Sequence, residues 1–261
     1  MRPRSPNQAV VTFHKIFPAA LSPLRADKSA LGTLPAAAFQ YCEPVRTASS
    51  FGWYIFPPVD IRLMWDGVDV FYADDGDWQK LTSTALSDEF VEYWDANAPQ
   101  HLQGCWPPFL TANVVPGIVQ IWSGLLVSTM ENWSILIGQP SNIQQPRGFS
   151  CFEGIVETDT FQPCPLFTNI QILATEREII IPRTKPLFQV RPIVRDCYAD
   201  AVLQHCEFEG LSPRQDGVGS MTSADWAGYA GTVRKIDAPS DQYKPGAYGA
   251  ARRRQAKMQP D

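Results

Sequence analysis

Twenty-three prolines spread through 261 residues constrain this chain more than any other feature. Each removes a backbone donor and fixes φ, so a proline inside a helix breaks it, and the spacing here leaves room only for short helices. Extended chain tolerates the same residue at strand ends and edges. The longest stretch without Asp, Glu, Lys or Arg, from Ala96 to Met130, is itself cut by Pro99, Pro107, Pro108 and Pro116. It offers none of the ~20 unbroken apolar residues that a membrane-spanning helix needs.

Between the prolines, β-branched and aromatic residues alternate with polar ones. Turn residues separate these runs at the short intervals of an antiparallel β protein. The pattern predicts strands over 52–56, 118–122, 125–129, 133–137, 150–156, 166–173, 178–181 and 187–195. A hairpin is expected where 61–65 and 68–72 flank Asp66-Gly67, a pair suited to a two-residue type I′ turn. Helices are fewer. Ser87 caps one over 90–96, with Asp88 and Glu89 at its positive end; a second covers 198–208; a third opens at Asp225-Trp226 and runs to Lys235. No period of 20–50 residues repeats, which excludes solenoids and propellers.

The expected fold class is mainly β with a few peripheral helices, built as an antiparallel double sheet of β-clip or jelly-roll kind. Residues 1–40 read as an extended N-terminal arm, 41–210 as the β-rich core, and 211–261 as a helix followed by a loosely ordered basic tail.

Charge is unevenly placed. Residues 1–46 carry six Lys/Arg against two Asp/Glu, 60–95 carry two against ten, and 211–261 carry eight against five. Phosphate backbones need clustered Lys/Arg, so the acidic middle argues against a nucleic-acid partner there. The run from Arg252 to Lys257 has the charge to touch nucleic acid or acidic lipid, but so few apolar neighbours that a solvated end is the simpler reading. The first ten residues, MRPRSPNQAV, hold no apolar segment of the kind a secretion signal needs. A cytoplasmic chain is the expectation, with its six cysteines reduced.

Common catalytic templates fail on inventory. Only three histidines leave little for a multi-histidine metal cage, and neither the His101/Cys105 pair nor adjacent His205-Cys206 completes a ligand set, so no metal and no cofactor are expected. No nucleophile elbow, phosphate-binding loop or dinucleotide fingerprint occurs. Carboxylates remain. Glu153 and Glu157 would share one face of a strand, and crowding of acids can raise one of them into a useful range.

The segment Gly154-Ile155-Val156-Glu157-Thr158-Asp159-Thr160-Phe161, followed by a β-run, a polar turn and Pro186-Leu187-Phe188-Gln189-Val190, resembles the core of the dUTPase and dCTP deaminase superfamily. The resemblance implies an acid at Glu157 or Asp159 that positions water or a sugar hydroxyl, a stacking ring at Phe161, and a fold-shaping Gln189. It departs from the family where the upstream arginine-serine-serine motif is absent and Gln162-Pro163 replaces the glycine after the aromatic. Over 42–198 the chain is also similar to uncharacterised proteins of bacteria and tailed phages. Pro58-Val59-Asp60-Ile61 and Pro146-Arg147-Gly148-Phe149-Ser150-Cys151 carry that likeness.

Seven of the eight tryptophans fall between 53 and 133, a density suited to a ligand cleft because indole joins a large apolar ring to one donor. The candidate site therefore joins catalytic Glu157 and Asp159 to ligand-binding Phe161, Arg147, Arg191, Trp53, Trp65 and Gln189. Its arginines would offer forks to a carboxylate or phosphate. The reading is a homo-oligomeric protein that binds a small molecule in a tryptophan-lined cleft beside a carboxylate loop, with or without catalysis. The alternative is a structural interaction module without catalysis, which would expose an apolar patch instead of a closed site.

Overall fold

The computed structural model describes residues 9–74, 76–143, 147–206, 221–230, 248–250 and 254. The strands are β1 (Val11–Lys15), β2 (Leu24–Arg25), β3 (Trp53–Ile55), β4 (Ile61–Trp65), β5 (Val70–Asp74), β6 (Asp77–Lys80), β7 (Ser83–Thr84) and β8 (Leu110–Ala112). They continue as β9 (Ile118–Thr129), β10 (Trp133–Gly138), β11 (Phe149–Cys151), β12 (Gly154–Val156), β13 (Cys164–Ile172), β14 (Ile179–Ile181) and β15 (Phe188–Val194). The helices are α1 (Ala36–Tyr41), α2 (Glu43–Ser49), α3 (Asp88–Asn97), α4 (Asp200–Leu203) and α5 (Ser223–Ala230). The fold is mainly β with antiparallel sheets and few helices.

Three sheets share one core. The first runs β11-β13-β9-β8-β7 with β1 also on β9, the second β12-β10-β15-β3-β2, and the third β14-β4-β5-β6. Val119, Ile121, Leu125 and Val127 of β9 pack with Ile135 of β10, Phe188 and Val190 of β15, Leu63 of β4 and Ile181 of β14 in a single buried cluster. The other face of β9 presents Trp122 to Phe17 and Phe90, a smaller core closed by α3. There the Trp122 indole donates to the Leu125 carbonyl at 2.9 Å, so its one polar atom is satisfied.

Several expectations are refined by tertiary contacts. Runs 118–122 and 125–129 form one strand. Gly124 at φ +79° lets the chain pass Ala20, whose Cβ would lie 3.1 Å from a Cβ placed there. Run 150–156 divides instead: β11 joins the first sheet and β12 the second, so the chain changes layers at Phe152-Glu153. The hairpin turn is displaced by one residue. Asp66 N donates to Asp69 O, which puts Gly67 (φ +103°) and Val68 at the centre, and the Asp66 carboxylate caps the Val68 and Asp69 amides.

The N-terminal segment is built into the body, for β1 pairs with β9 and β2 with β3. Helix α3 matches its sequence signal, with Ser87 Oγ accepting from Phe90 N at 3.1 Å. The helix expected over 198–208 is reduced to α4 after a 3₁₀ turn at Arg195–Tyr198. Helices α1 and α2 were not legible, because only Ser49 of their residues is buried and no apolar stripe exists to read. Gly217 to Ser220, residues 231–235 and most of the basic run 252–257 lie outside the described residues. Among the described residues no helix is long and apolar enough to cross a membrane.

Gly52 tests the packing of β3 on β15. It sits at φ +103°, and a Cβ there would lie 1.9 Å from the Val190 carbonyl oxygen, a backbone atom that cannot move aside. Gly52→Ala should cost at least about 3 kcal/mol in urea unfolding. Gly32→Ala, at φ +77° with nothing within 4 Å, should cost only about 1–2 kcal/mol. Equal losses would contradict this packing.

Candidate functional site

Strand β15 lies between β10 and β3, and its period-two alternation puts Gln189 and Arg191 on one face. Both are buried. The Gln189 amide donates to Phe51 O at 2.8 Å and its Oε1 accepts from the Ser141 amide at 2.7 Å. Arg191 Nη2 donates to the Gln139 carbonyl at 2.8 Å and to Ser141 Oγ at 2.7 Å. Asn142 then reaches α2, donating to Ser49 Oγ at 3.0 Å. The loop leaving β10 is thus fixed to β15 and to α2 by side chains rather than by a ladder.

That loop positions Gln139. Its Oε1 accepts from the Cys151 amide at 3.1 Å, and it lines a cavity of about 220 Å³ together with Arg147, Phe149, Ile180, Ile181 and Lys185. Arg147 enters between two turns. Its Nη2 donates to Pro186 O at 2.8 Å and to Leu187 O at 2.6 Å, and its guanidinium lies 4.2 Å from the centroid of the Phe149 ring. Burial pushes the pKa of both Arg147 and Arg191 down, yet a guanidinium starts so high that each keeps its charge at neutral pH. Neither arginine has a carboxylate within ion-pair distance among the described residues. One largely buried cation, Arg147, therefore borders the hollow, with Gln139 and Lys185 as its other polar walls and Phe149, Ile180 and Ile181 as apolar ones. Burial also pushes the nearby Cys151 thiol up, which keeps it protonated and a poor nucleophile.

The candidate acids lie elsewhere and face each other's partner. Asp159 is turned inward, its side chain only 7% exposed, and it pairs with Arg195 while accepting from the Asn132 amide at 2.9 Å. Glu157 stands 3.6 Å from the same Arg195 and accepts from the Tyr198 hydroxyl at 3.3 Å. These contacts tie the loop after β12 to the end of β15 and to the turn joining β9 and β10. Arg147 and Arg191 take no part in them.

The aromatic candidates also separate. Phe161 is 69% exposed. Trp65 packs on the main core and against Gly117, where a Cβ would lie 3.0 Å from its ring. Trp53 stacks edge-on with Phe13 and, with Trp133, walls an open apolar trough of about 680 Å³. Trp94 and Trp106 back the smaller core, so the tryptophans do not collect in one cleft. The structure thus joins Gln189 and Arg191 at Ser141, ties Arg191 to the Gln139 carbonyl, places Arg147 with Gln139 on one cavity, and joins Glu157 with Asp159 through Arg195. Gln139 and Lys185 went unread in the sequence. No motif marks them, since turns far apart in the chain bring them together.

No family model and no curated protein matches this chain. Among solved structures it is similar to dUTPases of staphylococcal phages. One, from phage phi11 of S. aureus, shows a TM-score of 0.37 and 10% identity over 71% of this chain and 91% of that one. Another, from Staphylococcus bacteriophage 80alpha with dUpNHpp, shows 0.38 and 12% over 82% and 99%. At this overlap neither a site nor an activity carries across, and the antiparallel architecture is read from the strands themselves.

Two measurements test the polar framework. Asp159→Asn should cost about 1–3 kcal/mol, since among the described carboxylates it leaves Arg195 the longer contact to Glu157 in place of its close pair; unchanged urea unfolding would contradict the clamp. The Tyr54 phenol, buried opposite Gln189, is pushed up to about 12 by burial and then by the Asp27 charge. The folded chain therefore keeps a proton that the unfolded chain loses near about pH 10, and stability falls as pH rises through that interval. Tyr54→Phe should remove this part of the decline, so its stability relative to the wild type should rise between about pH 10 and 12. A constant difference would contradict it.

Proposed function

We propose that this protein binds a small molecule with one anionic group, a carboxylate or phosphate, on an apolar body. The single observation that carries the reading is Arg147, a largely desolvated guanidinium with no carboxylate partner among the described residues, at the wall of the Gln139–Lys185 cavity. An uncompensated buried cation is costly, and an anion drawn into the hollow would offset that cost. Arg147 Nη2 is occupied by two carbonyls, so the other edge of the fork and the Lys185 ammonium would meet the ligand. The Gln139 side-chain amide would orient it, and Ile180 and Phe149 would cover its apolar part.

At about 220 Å³ the cavity suits a phosphoryl or carboxyl group with a single ring rather than a whole nucleoside triphosphate. Glu157 and Asp159, engaged by Arg195, hold their loop in this reading and do not touch the ligand. Arg191 and Gln189 serve as positioning residues through the loop of Gln139 and Ser141, and Trp53, Trp65 and Phe161 lie off the site.

Phenyl phosphate and benzoate, added separately to the full chain, distinguish the two anionic groups, with phenol as the neutral control. At least one anion should raise Tm in a concentration-dependent way while phenol does not. Lys185→Ala should weaken that anion about threefold to tenfold without lowering the Tm of the free protein. No shift with either anion, or an equal shift with phenol, would overturn the proposal.

A further inference from the structure

Helix α5 and the trough on the second sheet each lack what the other offers. The trough is walled by Val10, Phe51, Trp53, Trp133, Ile193 and Cys197, and among the described residues no charged side chain lines it. Phe51 is 42% exposed there. Helix α5 has only eight residues, all of them exposed. A helix this short is marginal in water unless a tertiary surface holds its apolar side. Its start is nevertheless fixed: the Asp225 carboxylate accepts from Thr222 N at 2.7 Å, and Asp225 N donates to Thr222 Oγ1 at 3.2 Å. That reciprocal cap occupies the helix's one charge and leaves Trp226, 45% exposed and edge-on to Tyr229 at 5.9 Å, as its main apolar feature.

The geometry points to a docked state in which α5 of the same chain fills this trough and the Trp226 indole, exposed in the structure, seats between Trp53 and Trp133. The path of the chain supports the intramolecular choice. Val194 and Cys197 themselves line the trough, so the polypeptide leaves the second sheet at its rim. Fourteen positions separate Cys206 from Met221, a span of at most about 50 Å. That covalent limit keeps α5 within about 50 Å of Cys206, whereas a second copy of the chain is under no such limit. The trough shares no lining residue with the anion cavity, so this inference stands apart from the proposed ligand.

Cys197 supplies a reporter, being free, exposed and part of the trough wall. Gly228→Cys adds a second thiol where a Cβ meets nothing within 4 Å. In the full chain carrying Cys105→Ser and Cys206→Ser, mild oxidation should give a monomeric disulfide between Cys197 and the introduced thiol, identified by peptide mass. Adding Trp226→Ser should lower its rate of formation about tenfold, the loss expected when a buried indole no longer anchors the helix. A rate unchanged by Trp226→Ser would mean that the tether alone brings the thiols together, and would overturn the proposal. Disulfide found only in dimers, or none at all, would overturn it as well.

Discussion

The side-chain amide of Gln189 is the contact on which the arrangement of the second sheet depends. It bridges two segments that no strand ladder reaches, the Phe51 carbonyl after α2 and the Ser141 amide after β10. A primary amide can donate and accept at once, which is why one buried residue can anchor both. Arg191, two positions along the same face, completes the set by donating to Gln139 and Ser141. Removing either polar partner would leave the others buried and unpaired, so the network stands or falls together.

Charge distribution follows from that scaffold. Once the β10 loop is fixed, Gln139 reaches Cys151, and Arg147 meets main-chain carbonyls, the Phe149 face and, at 4.0 Å, the Cys151 sulfur. The protein's own carboxylates go elsewhere: Glu157 and Asp159 share Arg195, and Glu178 is spent on Arg62 at the surface. A closed acid cluster and an open cationic cavity are thus two results of one partition. Hydrogen bonds to carbonyls occupy Nη2 of Arg147 without neutralising its charge, and the proposed anionic ligand rests on that difference.

Strand content was legible because alternation and turn residues are local properties, as the Ser87 cap of α3 also is. What escaped the sequence depends on contacts between distant segments. Gly124 looked like a break between two strands, but Ala20 and Pro58 pack against it and β9 runs through. The hairpin at Asp66-Gly67 was foreseen, but its turn lies one residue later, so that Trp65 pairs with Val70 rather than Val68, since the Asp66 carboxylate bonds the turn amides and shifts glycine to the first central place. Among site residues, Arg147, Arg191 and Gln189 were flagged by chemistry and by a family resemblance. Their arrangement around Ser141 and Gln139 needed the fold. Asp159 turns inward because Arg195 pairs with it, a contact between distant segments that no local signal marks.

Nuclear magnetic resonance of the arginine side chains reads the central claim at the atoms concerned. On titration with phenyl phosphate the Arg147 guanidinium signals should move and saturate, while those of Arg191, already engaged by Gln139 and Ser141, should stay nearly fixed. Movement confined to exposed arginines such as Arg62, or no movement at Arg147, would contradict the account.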